Sequence, residues 1–104
     1  MRIRWTYRAK RDLLAIGWFI ARDKPQAARE FIARLRARAR KAAKLPRAGR
    51  MVPEFRREDI REVIEGNYRL VYRVTKVSVE VLTVFEGHHL LPDGAVSDEP
   101  DVSR

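Results

Sequence analysis

Cysteine is absent from this sequence, and histidine occurs only at the adjacent positions His88 and His89. The absence of cysteine excludes a disulfide framework, a thiolate metal site and a thiol nucleophile. Two adjacent histidines make a poor metal cage, so we expect neither a metal nor any other cofactor. No apolar run approaches the roughly 18 to 20 residues that a membrane span requires, and the N-terminus MRIRWTYRAK lacks a secretion signal. A cytoplasmic protein with no membrane partner is therefore expected.

Acidic residues are few relative to basic ones. The 104 residues include 23 lysines and arginines against 14 aspartates and glutamates, which gives a formal net charge of +9. Such a surface needs an acidic partner: nucleic acid, an anionic membrane or an acidic protein. The length is sufficient for one core of modest size. We predict a single domain over residues 1–91, followed over residues 92–104 by a disordered tail that is rich in turn formers and acids.

Helical spacing dominates the first half of the chain. After a short strand at residues 3–5, Thr6 is predicted to cap a helix that extends to Arg22. Pro25 then begins a second helix, which ends at about Lys44. The buried stripes of the two helices are predicted to consist of Ala9, Leu13, Ile16 and Ile20, and of Ala28, Phe31, Ile32, Leu35, Ala39 and Ala42.

Alternating apolar residues predict strands in the second half. Gly66 with Asn67 offers a two-residue hairpin turn, and Lys76 with Val77 offers another. The result is a three-stranded antiparallel meander over about residues 61–86. The fold class is therefore α+β: an N-terminal strand, a two-helix antiparallel hairpin and the meander, with the helices packed on one face of the sheet.

Strand register assigns side chains to the two faces of the meander. With a turn at residues 76–77, the face under the helices contains Tyr68, Leu70, Tyr72, Val74, Val79, Val81, Thr83 and Phe85. The opposite face contains Glu62, Ile64, Arg69, Val71, Arg73, Glu80, Leu82 and Val84. Since neither helix covers that second face, we predict an open surface that is cationic and partly apolar. A simpler interpretation is that Arg69 balances Glu62 and that Arg73 forms a cross-strand ion pair with Glu80.

A second apolar line lies on the first helix, away from its buried stripe. Tyr7, Leu14 and Trp18 occur there at helical spacing, and an exposed aromatic patch of this kind is typical of a protein interface. Alternatively, the loop over residues 45–59 folds back and covers them. The predicted partner-binding residues on both surfaces are Tyr7, Leu14, Trp18, Ile64, Val71, Arg73 and Leu82.

Four segments in this order resemble the RelE/ParE superfamily of bacterial toxins: RWTYRAKRDLLAI, KPQAAREFIARL, REVIEGNYRLVYRV and VEVLTVFEGHHLL. The resemblance covers about residues 3–91, and NYRLVYRV is its most specific part. It implies a toxin of a type II toxin–antitoxin system, such as those that stabilise plasmids. It also implies a cognate acidic antitoxin, ParD-like or other, that neutralises the toxin in a hetero-oligomer.

Two activities occur in the superfamily, and the resemblance implies different residues for each. A RelE-like toxin cleaves messenger RNA on the ribosome and would use Arg69 as the cation, with His88 or His89 as the acid–base group. However, lysines expected before the hairpin are replaced by Ile60 and Glu62, and no tyrosine follows Tyr72. A ParE-like toxin inhibits DNA gyrase and performs no chemistry of its own.

We favour the ParE-like branch because the acid–base set is incomplete. The VFEGHHLL segment also resembles the ending of ParE-like members, with histidines in place of arginines. A third hypothesis is a nontoxic relative that retains only a salt-dependent affinity for nucleic acid.

Overall fold

Two helices lie side by side on one face of a five-stranded sheet in the computed structural model, which describes residues 1–98. The elements in chain order are β1 (Arg2–Trp5), α1 (Tyr7–Ala21), α2 (Pro25–Lys44), a 3-10 helix (Pro46–Ala48), β2 (Arg50–Met51), β3 (Ile60–Glu65), β4 (Tyr68–Val74) and β5 (Ser78–Glu86). The strand order is β1-β5-β4-β3-β2. Strand β1 runs parallel to β5, and the other neighbours are antiparallel. The predicted α+β architecture is confirmed.

The helix boundaries follow from local chemistry. The Thr6 hydroxyl accepts a hydrogen bond from the Ala9 amide at 3.1 Å and donates one to the Leu82 carbonyl at 3.0 Å, so the cap also joins α1 to β5. Pro25 occupies the first turn of α2, where its missing amide costs no helical hydrogen bond. The predicted stripes are buried against the sheet, with Ile20 and Ile32 at their edges and only partly buried.

The predicted hairpin is present, with Gly66 at φ +59° in its turn. The register between β4 and β5 agrees with the prediction over residues 72–74 of β4. Val74 pairs with Val79, and Tyr72 pairs with Val81. A β-bulge between Val71 and Tyr72 then shifts the pairing by one residue, and Leu82 has no partner in the register.

The bulge overturns part of the predicted assignment of faces. Arg69 pairs with Phe85, and Phe85 packs on the face opposite the helices rather than beneath them. Val84 takes the place beneath the helices. The extra residue exchanges the faces of the positions that follow it on β5, so Val84 and Phe85 change places. Leu70, Val71 and Leu82 keep their predicted faces.

The face opposite the helices is not open, and that prediction is wrong. A second apolar cluster, which we call the lower core, is buried there and consists of Val52, Ile60, Val71, Leu82 and Phe85. The loop between β2 and β3 contributes Val52, while Leu91 and Val96 pack against the cluster from the end of the chain. The chain covers this face with connecting segments instead of helices, since its apolar residues would otherwise contact water.

The end of the chain also differs from the prediction. Disorder was expected from residue 92, yet residues 92–98 turn back against the sheet, with Ala95 buried. Residues 99–104, to which the same prediction applies, lie outside the described residues. Within residues 1–98, no helix is both long and apolar enough to cross a membrane.

Candidate functional site

Arg69, the predicted catalytic cation, is held by two glutamates on the face of the sheet opposite the helices. Its Nε donates to Glu62 Oε1 at 2.5 Å, and its two terminal nitrogens donate to the Glu54 carboxylate at 3.0 and 3.1 Å. Its guanidinium also lies 4.9 Å from the centre of the Phe85 ring. The simpler interpretation, that Arg69 balances Glu62, is therefore what the geometry shows, with Glu54 added from the loop before β3.

Arg69 and Glu62, at the centre of this ion-pair cluster, are shielded from solvent, whereas Glu54 and Arg50 lie at its exposed edge. Glu62 is only 1% exposed and also accepts from Arg50 Nε at 2.5 Å. The hydrogen bonds from Arg69 hold the pKa of the Glu54 carboxyl below its usual value of 4.5. Glu54 thus acts as an anionic partner of Arg69, and this charge-assisted bidentate pair fixes the loop to the sheet.

The two histidines lie near the end of β5, as the sequence predicts. His88 and His89 are exposed in the turn that follows Glu86, and the His89 amide donates to the Glu86 carbonyl at 3.0 Å.

Arg73 forms the predicted cross-strand ion pair with Glu80, at 3.6 Å. It also donates to Asp98 Oδ1 at 2.9 Å and to the Ser97 carbonyl, both from the segment after β5. Of the other residues predicted to bind a partner on this face, Val71 and Leu82 are buried in the lower core and Ile64 is exposed. Val71 and Leu82 are therefore not available to a partner in this arrangement, because the chain's own segments cover the face.

The exposed line on α1 agrees with the sequence. The side chains of Tyr7, Leu14 and Trp18 are exposed by 55%, 65% and 77%. The loop of residues 45–59 does not cover them, since Val52 within it packs on the opposite side of the sheet.

A groove follows the junction of α1 and α2. One depression of about 480 Å³ is lined by Trp5, Lys10, Leu13, Leu14, Gly17, Trp18, Ile32 and Arg36. A second, of about 440 Å³, is lined by Gly17, Ala21, Pro25, Ala28, Arg29, Ile32, Ala33 and Arg36. The two share Gly17, Ile32 and Arg36, so they adjoin each other along the junction, and we call them together the groove. Its lining is apolar apart from the basic side chains of Lys10, Arg29 and Arg36. Such a surface fits an amphipathic helix with acidic flanks.

Several residues of these surfaces were not identified from the sequence. Phe19 is 68% exposed next to Trp18, yet it belongs to neither apolar line of α1. Two other pairs were also missed: Glu54 contacts Arg69, and Arg57 contacts Asp98. The partners are far apart in sequence, and segments without periodicity give no signal from which such pairs could be predicted.

Comparison with known proteins identifies the family. Residues 3–90 match the family model described as the ParE toxin of the type II toxin–antitoxin system parDE. A curated relative from Sinorhizobium fredii, named "Putative toxin Y4kP", is 38% identical over 93 residues, which cover 88% of this chain and 93% of the relative.

Two solved structures share the fold. The chromosomal ParDE toxin–antitoxin system from P. aeruginosa superposes with a TM-score of 0.69 at 18% identity, covering 83% of this chain and 95% of the other. The toxin–antitoxin complex RelBE2 from Mycobacterium tuberculosis gives a TM-score of 0.58 at 26% identity, covering 82% of this chain and 95% of the other. The chain belongs to the ParE toxin family of type II toxin–antitoxin systems, within the RelE/ParE superfamily.

Proposed function

We propose that this toxin inhibits DNA gyrase and that a cognate antitoxin neutralises it. Membership of the ParE family supports this proposal over a RelE-like activity. The structural observation that carries it is the enclosure of Arg69 by Glu54 and Glu62. A gyrase inhibitor acts by binding, so it needs no acid–base set in this position.

An RNA-cleaving site would need a base for the 2′-hydroxyl, a cation for the charged phosphorane and an acid for the leaving oxygen. Three of the five N–H groups of Arg69 already donate to carboxylates, so a phosphate would have to compete with Glu54 and Glu62 for the guanidinium. Glu54 itself is a weak base, because its hydrogen bonds with Arg69 lower the pKa of its carboxyl. These features favour a structural role for Arg69.

The groove between α1 and α2 is the proposed antitoxin site. Leu14 and Trp18 supply exposed apolar surface, and Lys10, Arg29 and Arg36 add positive charge along the groove. An antitoxin helix with apolar residues on one side and acidic residues at its edges complements both properties. The net charge of +9 would speed its association with such an acidic chain.

A paired activity assay tests the target. Purified toxin is added to a DNA gyrase supercoiling reaction and, at the same concentrations, to a translation extract. The expected result is loss of supercoiling with translation intact, and added antitoxin should restore supercoiling. Intact supercoiling together with messenger RNA cleavage only in the presence of ribosomes would contradict the proposal.

The RelE-like alternative remains the second candidate, because the RelBE2 complex is 26% identical and Arg69 occupies the hairpin position in YRLVY. His88 and His89 are exposed, so replacing both with alanine removes the candidate acid–base groups without disturbing a core. Ribosome-dependent cleavage that disappears in this double variant would support the alternative. Under our proposal the double variant still inhibits gyrase.

A further inference from the structure

Residues 91–98, which we call the strap, cross the face of the sheet opposite the helices. The strap turns at Pro92–Ala95, where the Ala95 amide donates to the Pro92 carbonyl at 3.2 Å and Gly94 adopts φ +75°. Leu91 and Val96 pack against the lower core on either side of this turn. The strap therefore supplies apolar cover to the lower core.

The last residue of the strap is held by two arginines. Asp98 Oδ1 accepts from Arg73 at 2.9 Å and from Arg57 at 3.3 Å. Arg73 also donates to the backbone carbonyl of Ser97. One arginine thus contacts both the backbone and the side chain of the strap, as in recognition of an extended peptide.

The ion pairs of Asp98 lie at the protein surface. The Asp98 side chain is 74% exposed, and exposed ion pairs are weakened by solvent and salt. Each arginine also has a second carboxylate: Arg57 pairs with Asp59 at 2.8 Å and Arg73 with Glu80 at 3.6 Å. Release of Asp98 would therefore leave neither arginine without a partner.

We propose that the strap occupies, in cis, a binding site for an acidic peptide, and that it opens to admit such a peptide from another chain. The site accepts an extended segment with an aliphatic side chain two residues before a carboxylate, as in Val96 and Asp98. The lower core binds the aliphatic group, while Arg57 and Arg73 bind the carboxylate. A nucleic-acid phosphate could contact the arginines, but it offers nothing to the apolar part of the site.

This site lies across the sheet from the groove between α1 and α2, and the proposal does not depend on the identity of the toxin's target. It assigns a second peptide-binding surface to the molecule. Because the strap must leave first, any ligand that binds there competes with the chain's own residues, which lowers its apparent affinity.

Strap opening can be measured in the full-length chain, because the absence of cysteine allows a single thiol to be introduced. Val96→Cys places a small apolar thiol against the lower core, where a closed strap slows its reaction with a thiol reagent. Adding Asp98→Asn should raise the labelling rate about two- to thirtyfold, the range expected for loss of two exposed ion pairs. The matched control is Asp93→Asn, which removes the same charge from the same segment.

Asp93 is a suitable control because Arg8 contacts its backbone carbonyl, at 3.1 Å, rather than its carboxylate. Equal labelling rates for the Asp98→Asn and Asp93→Asn variants would overturn the role of Asp98. Hydrogen exchange of residues 91–98, measured in chains that retain Val96, provides a second measurement. Exchange should be faster in the Asp98→Asn variant than in the Asp93→Asn variant. Thermal unfolding of each variant verifies that the domain remains folded.

The binding site itself is tested by competition. A synthetic peptide of residues 91–98, added in excess, should raise the labelling rate at Val96→Cys by occupying the site in trans. The same peptide with asparagine in place of Asp98 should have a much smaller effect. A labelling rate that neither peptide changes, or that both change equally, would overturn the proposed peptide site.

Discussion

Arg69 and Glu54 form a bidentate ion pair, with N–O distances of 3.0 and 3.1 Å, between the middle of the sheet and the loop before β3. On its other side, Arg69 donates to Glu62, which is 1% exposed. The same guanidinium therefore neutralises a buried carboxylate and holds the loop that covers the lower core.

Removal of Arg69 should destabilise the domain strongly. Arg69→Ala removes the more buried of the two arginines that pair with Glu62. Breaking a buried ion pair costs about 3–5 kcal/mol, and the remaining pair with Arg50 places the expected cost at the lower end of that range. Arg50→Ala is the matched control, since Arg50 also contacts Glu62 but its side chain is 62% exposed. Its loss should cost about 1 kcal/mol or less. Urea unfolding of both variants measures the difference, and equal costs would contradict the central role of Arg69.

The Glu54 carboxyl should contribute to stability in a pH-dependent manner. Because hydrogen bonds from Arg69 lower its pKa in the folded state, its contribution is fully present above the unfolded value of 4.5. That contribution is lost as the pH falls through the lower, folded-state pKa. The Glu54 side chain is 39% exposed, so we expect a contribution of about 1 kcal/mol at most.

The comparison uses Glu54→Gln, with unfolding free energies measured from about pH 6 to about pH 3. The variant should be less stable than the parent at the upper end, and the two curves should converge towards the lower end. A difference that grows as the pH falls would have the wrong sign for a carboxyl with a depressed pKa.

Asp12 joins α1 to β5 beside the bulge. Its carboxylate accepts from the Thr83 hydroxyl at 2.6 Å and from the Val84 amide at 3.0 Å. Asp12→Ala leaves the Val84 amide, in a residue that is 2% exposed, without this acceptor, at a cost of about 1–3 kcal/mol. Thr83→Val removes only the hydroxyl and should cost less. Chemical denaturation of the two variants tests that order, and a larger cost for Thr83→Val would refute it.

Two glycines should respond to alanine in opposite directions. A Cβ at Gly49 would collide with the Tyr72 hydroxyl and lie 2.8 Å from the Glu62 carbonyl oxygen, so Gly49→Ala should cost about 1–3 kcal/mol. A Cβ at Gly17 would meet only Ile32, at 3.7 and 3.8 Å. Gly17→Ala should therefore stabilise α1 by about 0.5–1 kcal/mol, the gain typical of a helix interior. Thermal and urea unfolding show whether each variant is more or less stable than the parent. A loss of stability in Gly17→Ala would show that the groove does not tolerate the methyl group.

Trp18 and Phe19 provide a matched test of the proposed antitoxin groove. Both are exposed on α1, by 77% and 68%, but only Trp18 lines the groove. Trp18→Glu should weaken antitoxin binding by about 2 kcal/mol, or about thirtyfold, as expected for an aromatic anchor. Phe19→Glu should change it little. Calorimetric titration with the antitoxin gives both values, and a greater loss for Phe19→Glu would move the interface away from the groove.

Local signals were sufficient to predict the helices and the hairpin. Thr6, Pro25 and Gly66 act on backbone groups within a few residues, so their effects can be derived from the sequence alone. The bulge could not be predicted in this way. The residues at which it shifts the register include Thr83 and Val84, and both are bonded by Asp12, about seventy positions earlier.

The covered face escaped prediction for the same reason. The composition of residues 92–98 is typical of a disordered segment, and nothing nearby in sequence reveals that Arg57 and Arg73 will bind Asp98. The exposed line on α1 was predicted correctly, because burial of the opposite helix face alone determines it.

The parallel pairing of β1 with β5 affects how the protein can be made. Ile3 pairs with Val79, so the first strand has no neighbour until the ribosome has synthesised and released the last one. Closing so long a loop is slow compared with forming a helix. The sheet is consequently completed only when β5 becomes available, after both helices and the hairpin of β3 and β4 have been synthesised.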